Sequence, residues 1–284
     1  MSNVIFLFSC YGVLCVSLIS FMSPYNLVNS LPASAKRFFT DTAGLWLYSV
    51  KFFRTGFSAP FEWREWLRQC YNMGNRTLAL AGTTAFIIGL VLTMQSRPTL
   101  QLFGAEAWLP AMVGISIVRE IGPVLTALIC AGKIGSSIGA ELGSMKVTEQ
   151  IDAMEVTAVN PFKYLVTTRI LACMFMLPVL VIASDSIALC GSWLAVNLNG
   201  NLTFELFFKQ VFANITFGDL IPSLIKSVFF GFTIALVGCY KGFTASKGTE
   251  GVGEAANSAV VVSSLFIFII DLLVVQITQL LGII

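Results

Sequence analysis

The sequence predicts an all-α integral membrane protein with an N-terminal interfacial amphipathic helix, five core transmembrane helices and a cytosolic amphipathic helix. Three observations carry that reading. Hydrophobic residues make up 56% of the 284 and charged ones 11%, and the mean hydropathy of +0.84 excludes a soluble globular class. Apolar runs long enough to span a bilayer as helices recur along the chain. The Lys and Arg residues fall almost wholly on alternate connections between those runs.

The first apolar stretch, Val4–Met22, holds no charge and lacks the basic n-region of a secretory signal. It reads as an extra anchor, which would be a sixth span, or as a membrane-lying helix, with a processed targeting segment as the alternative. It falls in a segment, 1–35, that serves as N-terminal stretch and linker. In the next segment, 36–76, Phe39, Trp46, Val50, Phe53 and Phe57 repeat at seven, four, three and four residues and share one helical face. Asp41, Lys51 and Arg54 lie off that face, as expected of a helix in the cytosolic headgroup region; an ordinary surface helix is the plainer reading. The transmembrane domain, 77–284, contains the candidate spans Thr77–Met94, Leu109–Gly132, Tyr164–Val196, Leu220–Tyr240 and Ala259–Ile284. The third is long enough to tilt or to project beyond the bilayer.

Charge sets the expected orientation. Seven Lys and Arg residues from Lys36 to Arg76 precede the first of these spans, Lys133, Lys146, Lys163 and Arg169 separate the second from the third, and Lys241 and Lys247 separate the fourth from the fifth. Only Arg97 and Lys209 fall on the other side. Thirteen against two places 133–169 and 241–258 in the cytosol and the C-terminus outside.

The second span carries Arg119, Glu120 and Pro123 and runs into a ladder of small residues. Gly135, Gly139 and Gly143 form one row, and Gly132, Ser136 and Ala140 a second; such rows let helices approach closely, a flexible hinge being the alternative. Beyond the ladder, a helix over about 138–157 is predicted to be amphipathic. Leu142, Met145, Ile151 and Met154 fall in its apolar arc, with Val147 at the margin, while Lys146, Glu149, Gln150, Asp152 and Glu155 make the rest polar. A helix of this kind lays apolar anchors into a partner's groove, and three acids within seven residues favour a protein over an anionic membrane surface. Arg119, Glu120, Asp185, Lys226 and Asp271 lie inside spans, where charges are costly and mark function or pair to staple helices.

Several chemistries find no support. The seven cysteines form no CxxC pair and the chain has no histidine, which argues against a zinc site or a disulfide scaffold. Ala131-Gly132-Lys133 ends like a phosphate-binding loop, but Ala127 and Ile134 break the pattern, and Gly251-Val-Gly253 has no preceding strand. No basic run with interleaved aromatics suggests nucleic acid, and no nucleophile–base pair suggests an enzyme.

The blocks Arg119-Glu-Ile-Gly-Pro123, Ala131-Gly-Lys133, Ala140-Glu-Leu-Gly143, Val147-Thr-Glu-Gln-Ile-Asp-Ala-Met-Glu155 and Asn160-Pro161 resemble the MlaE-type permease family. Leu224-Ile-Lys-Ser227 and Gly248-Thr-Glu-Gly-Val-Gly253 extend the resemblance, which runs from about Phe38 to the C-terminus. The uncharged segment before Ser23 departs from the compact family pattern. The resemblance implies a multi-pass permease of the bacterial inner membrane, acting as a homodimer with a separate ABC ATPase subunit and an Mce-domain lipid-binding protein outside. ATP and Mg2+ would bind the ATPase, with no cofactor in this chain. The amphipathic helix would be the coupling helix, with Glu141, at the junction, in its moving part. Cargo would be phospholipid or a related lipid, with Arg119 or Lys226 as candidates to meet its phosphate.

A diacyl lipid has on the order of 30 methylenes, so exposing both chains to water would cost on the order of 25 kcal/mol, and its route must stay apolar. The rival reading is an ion-coupled secondary transporter using the intramembrane charges, although no inverted repeat is visible and the cytosolic helix would then have no task. A membrane-embedded lipid enzyme is the other rival.

Overall fold

The computed structural model describes residues 33–55, 62–198 and 203–282, and every regular element among them is a helix. The segment Val4–Met22 lies outside the described residues. The chain divides into two compact units, Met1–Leu47 and Tyr48–Ile284; helix α1, Ala33–Thr55, has residues in both, and the other described helices belong to the second. Trp46, Val50 and Phe53 are exposed together along α1, as membrane contact requires; the side chains of Phe39 and Phe57 lie outside the described residues. Its inner face is a different one. Tyr48 meets the Phe162 ring at 4.9 Å, and Phe52 meets Phe232 at 5.8 Å.

Among the described residues, five helices are long and apolar enough to cross a membrane, as the sequence predicts. They are α2 (Trp63–Leu102), α3 (Glu106–Val147), α5 (Phe162–Leu198), α7 (Phe217–Phe243) and α8 (Thr249–Leu280). Among the described residues there are also two short helices, α4 (Gln150–Val156) and α6 (Phe204–Asn214). At 40 residues, α2 would extend about 60 Å, well beyond the apolar thickness of a bilayer. Gly104 ends it: in the left-handed conformation its N–H reaches the Gln101 carbonyl and the Ala105 N–H reaches that of Leu100.

Helix α3 contains two π turns, Ile117–Ile121 and Ala131–Gly135. Pro123 explains the first, because it has no N–H for the Arg119 carbonyl; the Gly122 N–H meanwhile reaches back to Ile117. The α3 helix stops at Val147, and the expected helix over 138–157 is therefore two helices. Glu149 takes the left-handed conformation between them, and the Thr148 hydroxyl bonds back to the Ser144 carbonyl at 2.8 Å. The break turns α4 so that Ile151 enters the core. Asn160 then starts α5, its side-chain oxygen accepting the N–H groups of Phe162 (3.1 Å) and Lys163 (3.3 Å) across Pro161.

Small residues set the closest helix crossings. A Cβ on Gly89 or Gly191 would overlap the facing backbone of α5 or α2, and Ser192 Oγ donates to the Gly89 carbonyl at 3.1 Å. The row Gly135, Gly139, Gly143 meets α7, α8 and the turn between them; a Cβ on Gly139 would lie 3.2 Å from the Ala255 carbonyl oxygen. In the second expected row, Gly132 has open space in front of it, while Ser136 and Ala140 are half-buried. Along α8, Ala255, Ala259, Ser263 and Ile267 face inward while Val261, Leu265, Phe268 and Leu272 are exposed. This helix is sided by size rather than polarity, as suits a surface bathed in lipid. At the far end of the bundle, α6 buries Phe207 and Val211 against Leu109 and Val113 of α3.

Candidate functional site

The intramembrane charges converge on the first π turn of α3. Lys226 of α7 has a side chain only 2% exposed, and its Nζ lies 2.8 Å from Glu120 Oε2 and 3.0 Å from Asp271 Oδ1. One ammonium therefore joins α3, α7 and α8. Arg119 turns elsewhere and pairs with Asp219, its Nε donating to Oδ1 at 3.0 Å. Asp219 is itself held by the start of α7, where its Oδ2 accepts the Thr216 N–H (3.0 Å) and hydroxyl (2.8 Å) in a capping box. Sequence reasoning overlooked Asp219, although Thr216-Phe-Gly-Asp219 is the signal that could have found it.

Adjacent residues on a helix point to different faces, so two consecutive charges on α3 reach two separate partners on α7. In a medium of low dielectric constant each pair is held strongly, and an ion deprived of its partner would be costly. Asp185 of α5 stands apart. It is 8% exposed and packs against Gly122, where a Cβ would overlap its Oδ1, and that oxygen has no hydrogen-bond partner. The structure thus joins Arg119, Glu120, Lys226 and Asp271 through protein counter-charges and leaves Asp185 outside the pairs.

At the opposite end of α3, the residues expected to couple to a partner divide into two sets. Leu142 and Ile151 are buried, and Met145 and Met154 pack against the same core. Burial closes Leu142 and Ile151 to a partner, Met145 and Met154 stay half-buried, and all four fasten the elbow of α3 and α4 to its own bundle. Glu149, Asp152 and Glu155 are exposed, with Asp152 accepting from Lys146 Nζ at 2.8 Å. The apolar residues open to a partner are Val156, 87% exposed, and Val159. Glu141 pairs with Arg169 at 2.9 Å. Arg169, which the charge distribution assigns to a cytosolic loop, is buried within α5.

Five apolar helices stapled by internal ion pairs, with a polar elbow between the second and third, define a multi-pass membrane protein of permease build. The family described as Permease MlaE matches residues 66–277. A probable ABC transporter permease protein of Rickettsia typhi is 39% identical over 210 residues, which are 74% of this chain and 81% of that protein. One from Rickettsia felis is 34% identical over 251 residues, 88% of this chain and 97% of its own. Another, from a Synechocystis species, is 37% identical over 206 residues, 72% and 78% of the two chains. The chain belongs to the MlaE permease family and is an ABC transporter permease subunit.

Proposed function

We propose that this permease subunit moves phospholipid or a related lipid between the inner and outer membranes of a bacterium. It does so as a homodimer, with a separate ABC ATPase below and an Mce-domain lipid-binding protein outside; ATP and Mg2+ bind the ATPase. The observation that carries the reading is the elbow at Thr148–Glu149, which presents Glu149, Asp152, Glu155 and Val156 outward from a junction rooted in the bundle. Force applied to α4 reaches α3 through Leu142, Met145, Ile151 and Met154, because these side chains share one packed core. Glu141 lies on the same route, tied to Arg169 on α5. The Gly135, Gly139 and Gly143 row lets α3 bear closely on its neighbours, where such force can be passed on.

The ion pairs of Arg119, Glu120, Lys226 and Asp271 support a stapling role rather than an ion relay, since each charge already has a protein partner. Among them Glu120, 38% exposed, and Arg119, 33% exposed, are the groups best able to meet a lipid. The exposed acids of α4 set register against basic residues of the ATPase. Charge reversal at Glu149 together with Glu155 is expected to lower ATPase recovery in pull-down and lipid transfer between reconstituted vesicles, each at least tenfold. Reversal at Glu141 is expected to keep the ATPase bound while transfer falls. Unchanged recovery and transfer in all these variants would make the acids a solvated face and end the coupling assignment.

A further inference from the structure

A cavity of about 770 Å³ opens between α2, α3 and α5 at the elbow end of the bundle. Its volume falls within the range of about 300–1,000 Å³ typical of small-molecule sites. Four cations line it, Arg68, Arg76, Lys133 and Arg169, against two carboxylates, Glu65 and Glu141. The carboxylates are already engaged. Glu65 accepts from Gln69 at 2.7 Å and lies 3.6 Å from Arg68, while Glu141 holds Arg169 at 2.9 Å. Among the described residues, no carboxylate lies within 4.0 Å of Arg76 or Lys133. The buried Arg169 also keeps an Nε without a hydrogen-bond partner.

Lys133 reaches this cavity from the second π turn of α3, beside Gly132, which has nothing within 4 Å of a Cβ position. The Ala131-Gly132-Lys133 motif, no use as a nucleotide loop, thus puts a cation at one wall of the chamber. Uncompensated positive charge in a recess concentrates anions, and guanidinium with ammonium suits phosphate oxygens. A second feature adjoins it. Further along α2, away from Trp63, an apolar groove of about 620 Å³ runs past Leu78, Gly82 and Phe86 of α2 and Ile187 of α5. A polar, cationic chamber followed by an apolar furrow on the same helix has the order of parts of an anionic lipid.

We propose that the chamber lined by Arg76 and Lys133 binds a phosphate-bearing anion. Two sources share that chemistry: a lipid headgroup, whose chain would lie in the furrow, and soluble phosphate. The lipid source rests on the transport reading above; the anion site does not. Binding of the lipid there puts it in register with α3 and α5, the helices joined by Glu141 and Arg169.

Equilibrium binding to the purified full-length chain in neutral detergent tests this, with dihexanoyl phosphatidylglycerol, dihexanoylglycerol and inorganic phosphate as probes. The phosphatidylglycerol is expected to saturate and the uncharged diacylglycerol to bind at least about tenfold more weakly. Arg76→Ala with Lys133→Ala should weaken the phosphatidylglycerol about tenfold or more, and both side chains are exposed, so the fold is kept. Arg64→Ala, on the same helix and outside the chamber, should change nothing. Inorganic phosphate binding as tightly as the lipid, and lost in the double variant, would support the site with soluble anion as its source. Double-variant affinities equal to wild type, or equal binding of the uncharged diacylglycerol, would overturn the site. Lipid transfer in vesicles reconstituted with the ATPase separates the two readings. Unchanged binding and transfer in the double variant sinks the chamber alone; intact anion binding with no transfer by the wild type sinks the transport reading alone.

Discussion

Lys226 holds three helices with one charge, and the surrounding bundle leaves it no access to bulk solvent. Replacing it with Met would strand Glu120 and Asp271 without a counter-charge. Removing one partner of a buried pair costs about 3–5 kcal/mol, and a chain of this size loses about 2–4 °C per kcal/mol. Lys226→Met is therefore expected to lower the Tm in detergent by roughly 10 °C. Adding Glu120→Gln and Asp271→Asn should recover more than half of that loss, because uncharged groups have no desolvation debt. A single variant as stable as wild type would show that the three groups are not a staple. Arg119 and Asp219 differ in kind, since Asp219 also caps α7 and its loss would loosen the helix start as well.

The elbow shows how an element boundary arises without Gly or Pro. Glu149 ends α3 and Ala158 ends α4 in left-handed conformations, at φ 59° and 60°. At Ala158 the N–H reaches the Glu155 carbonyl at 3.1 Å and the Val159 N–H reaches that of Met154 at 3.1 Å, a turn that glycine fits without steric cost. Ala158→Gly is expected to stabilise the chain by about 1 kcal/mol, seen as a rise in Tm of a few degrees. A fall in Tm would mean that the Ala158 methyl group contributes packing greater than the strain. At Glu149 the backbone and the charge can be separated: Glu149→Gly relaxes the turn and removes the acid, whereas Glu149→Lys retains the strained turn. If α4 docks by charge, both weaken ATPase recovery, with the Lys variant weaker still.

Across the whole molecule, the distribution of Lys and Arg predicts that the elbow end is cytosolic. The chamber, the α4 acids and the α7–α8 turn share that end, while α6 lies at the other. On a Cys-depleted background, Gln150→Cys is expected to react with an impermeant maleimide only after the cells are opened. Gln279→Cys, near the end of α8, should react from outside. Labelling of position 150 on intact cells would reverse the orientation and, with it, the side at which an ATPase can dock. Orientation also decides which leaflet faces the chamber, so this measurement bears on the anion site as well.

Hydropathy and charge alone determined the helical class, the five spans and the expected orientation, because a bilayer demands about 20 apolar residues per crossing and every backbone polar group paired. Pro123 was a signal that could have marked the first irregular turn of α3, since a missing N–H can be read from the sequence. Pairing was another matter. Nothing local says that Arg119 takes Asp219 while Glu120 takes Lys226, residues about a hundred positions away on a helix whose azimuth depends on packing. The break at Glu149 was equally hidden, because its sequence lacks any strong helix breaker and the turn is stabilised by burying Ile151. Amphipathic pattern identified the apolar side of the elbow but could not say whose core would receive it. The tertiary structure gave Leu142 and Ile151 to their own bundle, because burial against neighbouring helices of the same chain removes them from every other partner.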